Sequence, residues 1–197
     1  MLDASGLDDE LALAIIAHDI NGKALAESKC REGQNRQADI ERMLQGHFEN
    51  TLVSLGGLLE FALRQLLDFL AVNQVIDSST VRFAEISSLD ALEKTLKGKW
   101  VNEDLFSTDD WRDVRLLSKV RNKIVHVMGW HDDIEFEPQG KMILHRYGLI
   151  AATGHHPMGL VHRFNLTSET AHRVAALYWR VFASLEVEFR SKLNAHS

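Results

Sequence analysis

Both prolines of this 197-residue chain, Pro138 and Pro157, lie in its last third. Proline lacks an amide donor and clashes with the preceding helical turn. Everything before Pro138 is therefore free of the strongest helix breaker, and that stretch carries helical periodicity. Leu52, Leu55, Leu59, Leu63, Leu66 and Leu70 recur at three- and four-residue steps, the spacing of one buried helical face.

The spacing predicts a first helix from near Asp8 through "ELALAIIAHDI", with Asn21-Gly22 as a break and a resumption through Ala24 to Cys30. "REGQNRQ" reads as a loop. A long second helix is expected from about Ala38 to Asn73, with Glu60, Arg64 and Asp68 as a charge ladder on one face. Gly56-Gly57 inside it costs helix stability and implies close approach by another helix. A short helix over Ser88 to Leu96, ended by Gly98, comes next. "STDD" then offers Ser107 or Thr108 as a cap and two acids in a first turn. That helix should run from Asp109 to Met128 and stop at Gly129.

The period changes after residue 130. "DIEFE" and "KMILHRY" around "PQG" read as a β-hairpin, "AATGHHPMG" as a loop and "LVHRFNL" as a third strand. "TSET" opens a last helix to about Leu193. The expected fold is mainly α, a bundle of four to five helices with a small β-hairpin or three-stranded insertion before the C-terminal helix. A single domain is expected over 1–197, with an N-terminal helical extension at 1–36 and the β insertion at 131–167.

The formal net charge is −6, which argues against a general nucleic-acid coat but not against a local basic site. Cys30 is the only cysteine, so no intramolecular disulfide forms and a reducing compartment is expected. The acidic start has no basic n-region, and no run of roughly twenty uncharged apolar residues exists, so neither a signal peptide nor a membrane span is expected. These readings point to a cytoplasmic protein with no membrane partner.

"KVRNKIVHVMGW", Lys119 to Trp130, carries the chemistry. At about 100° per residue, Arg115, Lys119, Asn122 and His126 share one sector of the helix. Leu117, Val120, Ile124 and Val127 face the other way. Arg121 lies on the flank, its long side chain able to curl toward His126. Asn122 is placed one turn before His126 to fix its ring. On composition and spacing alone the stripe reads first as a solvated helix face.

"VRNKIVH" resembles the Arg-x4-His signature of the HEPN superfamily (higher eukaryotes and prokaryotes nucleotide-binding), with Asn122 as the polar residue after Arg121. "GGLLEFALRQLLDFL" resembles the acidic, Leu-rich early helix of several HEPN branches, and Glu60 stands where they carry an acid. The resemblance covers about residues 38 to 130 and extends to the last helix; a β insertion is not part of the minimal family fold. It implies a metal-independent endoribonuclease working as a homodimer, with Arg121, Asn122 and His126 catalytic. Arg115, Lys119 and Lys123 would bind the RNA, and Glu60 would steady Arg121. The products would be a 2′,3′-cyclic phosphate and a 5′-hydroxyl. No cofactor is implied, and the partners would be an RNA substrate, a second copy and an antitoxin or defence-system protein. Met128 stands where the branch paired with nucleotidyltransferase antitoxins carries a tyrosine, so that modification target is lacking.

Two other readings stay open: a non-catalytic HEPN module binding RNA, nucleotide or a protein partner, and a structural helical interaction domain. Ten histidines, with "HDD" at 131–133, His145, His155, His156 and His162, show no regular ligand spacing, and no metal site is assigned. His145-Arg146 and His162-Arg163 could extend an RNA-contacting surface. Trp100, Trp111, Trp130 and Trp179 read as core or interface anchors. No Gly-rich phosphate loop and no nucleophilic Ser or Cys signature is present.

Overall fold

A computed structural model describes residues 4–31, 34–72, 89–97, 103–127, 130–131, 138–156 and 159–196. Among them are six α-helices: α1 (Ala4–Arg31), α2 (Gln34–Val72), α3 (Leu89–Leu96), α4 (Asp109–Val127), α5 (Pro138–Arg146) and α6 (Ser168–His196). A 3₁₀ turn at Glu103–Ser107 precedes α4. The chain is mainly helical, and no helix of the described residues is long and apolar enough to cross a membrane.

The helices form two compact units. The first comprises residues 1–11, 56–118 and 176–197, the second residues 12–55 and 119–175. In the first, Leu59, Leu63, Leu66 and Leu70 of α2 are buried as their spacing requires, together with Trp111, Tyr178 and Phe182. In the second, residues 12–31 of α1 pack along residues 34–55 of α2, and Lys29 pairs with Glu41 at 2.7 Å.

Several expected boundaries move. α1 does not break at Asn21-Gly22. A side chain at Gly22 would meet the rings of Phe48 and His47 at ordinary contact distance, 3.7–3.9 Å, so α2 covers that stretch of helix. The close approach expected at Gly56-Gly57 is absent at Gly57, where an added Cβ would touch nothing within 4 Å. α2 begins at Gln34 inside "REGQNRQ".

The hairpin expected from "DIEFE" and "KMILHRY" is not supported. The first segment lies outside the described residues, and the second belongs to α5. Pro138 is the first residue of that helix, where its missing donor costs nothing. Ile143, Leu144 and Tyr147 are buried while Met142, His145 and Arg146 are exposed, a helical period. α5 ends in a left-handed glycine, Gly148, at φ +70°. The amide of Gly148 donates to the His145 carbonyl at 3.1 Å and that of Leu149 to the Leu144 carbonyl at 2.8 Å, satisfying the last carbonyls of the helix.

Strand geometry falls in part elsewhere, although the third strand, Gly159–Asn165, overlaps "LVHRFNL". "AATGHHPMG", expected as a loop, supplies most of β2 (Ile150–His156), which pairs antiparallel with β3 (Gly159–Asn165) from Ile150↔Asn165 to His156↔Gly159. β1 (Trp130–His131) pairs with the other edge of β3, Trp130 opposite Arg163. Gln45 of α2 donates to the Phe164 carbonyl at 2.8 Å. α6 opens on a reciprocal cap: Thr167 and Thr170 each accept the other's backbone amide at their hydroxyls, at 3.3 and 3.2 Å.

Candidate functional site

Helix α4 is capped as its sequence requires. The Thr108 hydroxyl accepts the Trp111 amide at 3.2 Å, and Asp109 and Asp110 occupy the first turn. The chain folds the helix down on one face: Val114, Leu117, Val120 and Ile124 are buried. In the second unit, Lys119, Asn122 and His126 are exposed, and Arg121 and Lys123 are half-buried. The side chain of Val127 and the residues Met128 and Gly129 lie outside the described residues. Helical geometry sets Asn122 about 40° from His126 and Arg121 about 140° from it. Asn122 and His126 thus share a solvated face one turn apart, bordered by Val125, 54% exposed.

Arg115 departs from its expected role. In the first unit its Nε donates to Glu93 Oε2 at 2.6 Å, and its Nη2 donates to Glu93 Oε1 and to the Phe106 carbonyl. Glu93, on α3, is buried. It also accepts the Trp111 indole N–H at 2.8 Å and pairs with Lys97 at 2.5 Å. Burial opposes ionisation, but the hydrogen bonds from Arg115, Lys97 and Trp111 outweigh it and hold the Glu93 carboxyl below the ordinary carboxylate range. A phosphate would have to displace a buried carboxylate to take Arg115. In this structure Arg115 serves as the counter-ion of Glu93. A cleft of about 340 Å³ over the same place is lined by Asp90, Glu93, Lys94, Lys97 and Arg115.

Glu60 is half-buried on α2 in the first unit. Trp111 is fully buried, as a core anchor should be, whereas Trp179 is 41% exposed. His145 and Arg146 are exposed at the end of α5. The side chains of Trp100, Trp130, His131, His155, His156, His162 and Arg163 lie outside the described residues.

Sequence reasoning passes over a second constellation, in the second unit. His18 on α1 is 2% exposed. Its Nδ1 lies 2.8 Å from the Thr51 hydroxyl, which donates at 3.0 Å to the His47 carbonyl. The hydroxyl proton is thereby committed, so His18 carries its proton on Nδ1 and donates to Thr51. The His47 ring stacks on His18, centroids 4.8 Å apart and planes 14° from parallel, and its Nε2 donates to the His18 carbonyl at 3.0 Å. The signal was present in α1: Leu7, Leu11, Ile15 and His18 recur at helical steps, all on the buried stripe.

No family model, no curated protein and no solved structure matches the chain.

Proposed function

We propose that this protein is a metal-independent endoribonuclease of HEPN type, acting as a homodimer with Arg121, Asn122 and His126 at its site. The observation that carries the reading is the pairing of Asn122 and His126 on a solvated helix face one turn apart, with Lys119 a further turn away, on a helix whose opposite face is buried. RNA brings its own nucleophile, the 2′-hydroxyl. His126 takes or gives the proton, Asn122 orients the ring or the phosphate, and Arg121 neutralises charge on the in-line transition state. The O2′–P bond forms as the P–O5′ bond breaks, leaving a 2′,3′-cyclic phosphate and a 5′-hydroxyl. One imidazole per motif helix serves acid and base steps poorly, and a second copy supplies the other.

The non-catalytic reading, a module that binds RNA or a protein partner, gains from one observation: Arg115 is bound to Glu93, which thins the cationic stripe. The test is RNA cleavage by the purified protein. His126→Ala is expected to lose about 10²- to 10⁴-fold in rate while keeping its helical circular dichroism, and the parent activity should persist in EDTA. Binding of RNA with no cleavage by the parent would leave the non-catalytic reading in its place.

A further inference from the structure

The His18 constellation has no part in that chemistry, yet it ties α1 to α2 within the second unit. Two hydrogen-bonded links cross between α1 and α2 in opposite senses. His18 donates through the Thr51 hydroxyl toward the His47 backbone, and His47 donates to the His18 backbone. The remaining ring nitrogen, His18 Nε2, is buried and has no hydrogen-bond partner. It is a bare lone pair among clustered rings, with Phe48 5.2 Å from His18 and 5.8 Å from His47. Among the described residues no three metal-ligating side chains converge, so a metal does not account for it.

Three ionisable side chains face His18. On α2, His47 is stacked against it. On its own helix, Asp19 carries the neighbouring carboxylate. On α6, His172 holds that carboxylate at 3.0 Å through Nε2, with the Ser168 hydroxyl donating to it at 3.0 Å. The nearest anion is thus already engaged.

We propose that this constellation is an acid-released clasp: protonation of His18 at Nε2 separates residues 12–31 of α1 from residues 34–55 of α2, while the Asp19–His172 link keeps α1 tied to the first turns of α6. The proton arrives where no acceptor exists and where water is excluded, so the ring must leave the interface to be solvated. A charge on His47 as well would set two cations face to face. The Asp19–His172 link does not pass through the His18 ring: His172 Nε2 and the Ser168 hydroxyl both hold the Asp19 carboxylate. Burial first, and His47 second, hold the His18 imidazole below its ordinary range, with Asp19 opposing and His172 reinforcing. The clasp is therefore closed at neutral pH and loses strength as the pH falls below the ordinary histidine value, about 6.5.

The experiment is amide hydrogen exchange on the full chain at pH 7.5 and pH 5.5, corrected for the intrinsic pH dependence of exchange. Protection within 12–31 and 34–55 should fall several-fold at pH 5.5, toward the roughly tenfold ceiling that one histidine of ordinary value about 6.5 allows, with smaller loss in 168–175. His18→Asn, whose amide can still donate to Thr51 but cannot be protonated, should flatten that dependence. The His18 imidazole carbon shift, followed by NMR in the unmodified protein, gives a reading that needs no variant. Its titration should coincide with the loss of protection. The proposal is overturned if wild-type protection is unchanged at pH 5.5, if His18→Asn opens at the same pH as the parent, or if His18 titrates at the ordinary value with the two helices still protected.

Discussion

Glu93 and His18 are both ionisable groups placed in a helical core, one in each unit, and the fold treats them in opposite ways. Glu93 is kept charged. Arg115, Lys97 and the Trp111 indole surround it, so every lone pair that burial strips of water regains a donor. His18 is kept neutral. It has one partner for its N–H and none for its second nitrogen. The acid is stabilised by what touches it, and the base by what stays away. Both lose stability on acidification, in separate windows. Glu93 contributes fully above the ordinary carboxylate pKa and fades as pH drops through its depressed value. His18 begins to cost stability already below the ordinary histidine value.

Substitutions can break this comparison. Removing the carboxylate should have the largest effect. Glu93→Ala leaves the Arg115 guanidinium and the buried Trp111 N–H without their acceptor. Loss of one member of a buried pair costs about 3–5 kcal/mol, and because the Arg115 side chain is 37% exposed the expectation is the lower end, about 3 kcal/mol by urea unfolding at pH 7. The variant should also lack the stability loss that the parent shows on going below about pH 4.3. A cost under about 1 kcal/mol would mean that the Glu93 cluster is not a keystone of its unit. Thr51→Val comes next. It strands the His18 N–H and frees the His47 carbonyl, for about 1–2 kcal/mol in the same measurement. If Thr51→Val is neutral, the relay through the hydroxyl is not holding α1 to α2. The smallest effect belongs to Arg180→Ala. Its bidentate contact with Asp110, at 3.0 and 3.1 Å, is exposed, and such pairs contribute about 0.2–1 kcal/mol. A larger loss there would remove the contrast between buried and surface charge.

The same two groups show what the sequence made legible. The leucine period of α2 and the cap of α4 are local, and Leu59, Leu63, Leu66 and Leu70 are buried as their spacing demands. Thr108 caps where a cap was expected. The breaks were less legible. Gly22 stays helical because α2 packs over it, a contact with residues 25 or more positions away. Pro138, read as a hairpin turn, starts a helix because a first-turn proline loses no bond. The exposed face of α4 follows from angular spacing, so Lys119, Asn122 and His126 were placed by the sequence alone. Arg115 was not, because its partner is 22 residues away on another helix. Its clue is Glu93 itself, an acid at a core position beside Leu89, Leu92 and Leu96. A charge on an apolar stripe announces a buried counter-charge without naming it. His18 on the stripe of α1 announces the same need.

The bonds from Asp19 to Ser168 and His172 join positions 149 and 153 residues apart, and the Gln45 link to Phe164 spans 119. Chain order therefore sets an order of assembly. During synthesis the paired segments of α1 and α2 emerge before β3 and α6 and can associate first through His18, Thr51 and His47. Their partners on β3 and α6 are made more than a hundred residues later, and contacts of such separation form slowly. Until then Leu13, Ile16 and Ile20 of α1, each more than half exposed even in the finished fold, are open to whatever the nascent chain meets.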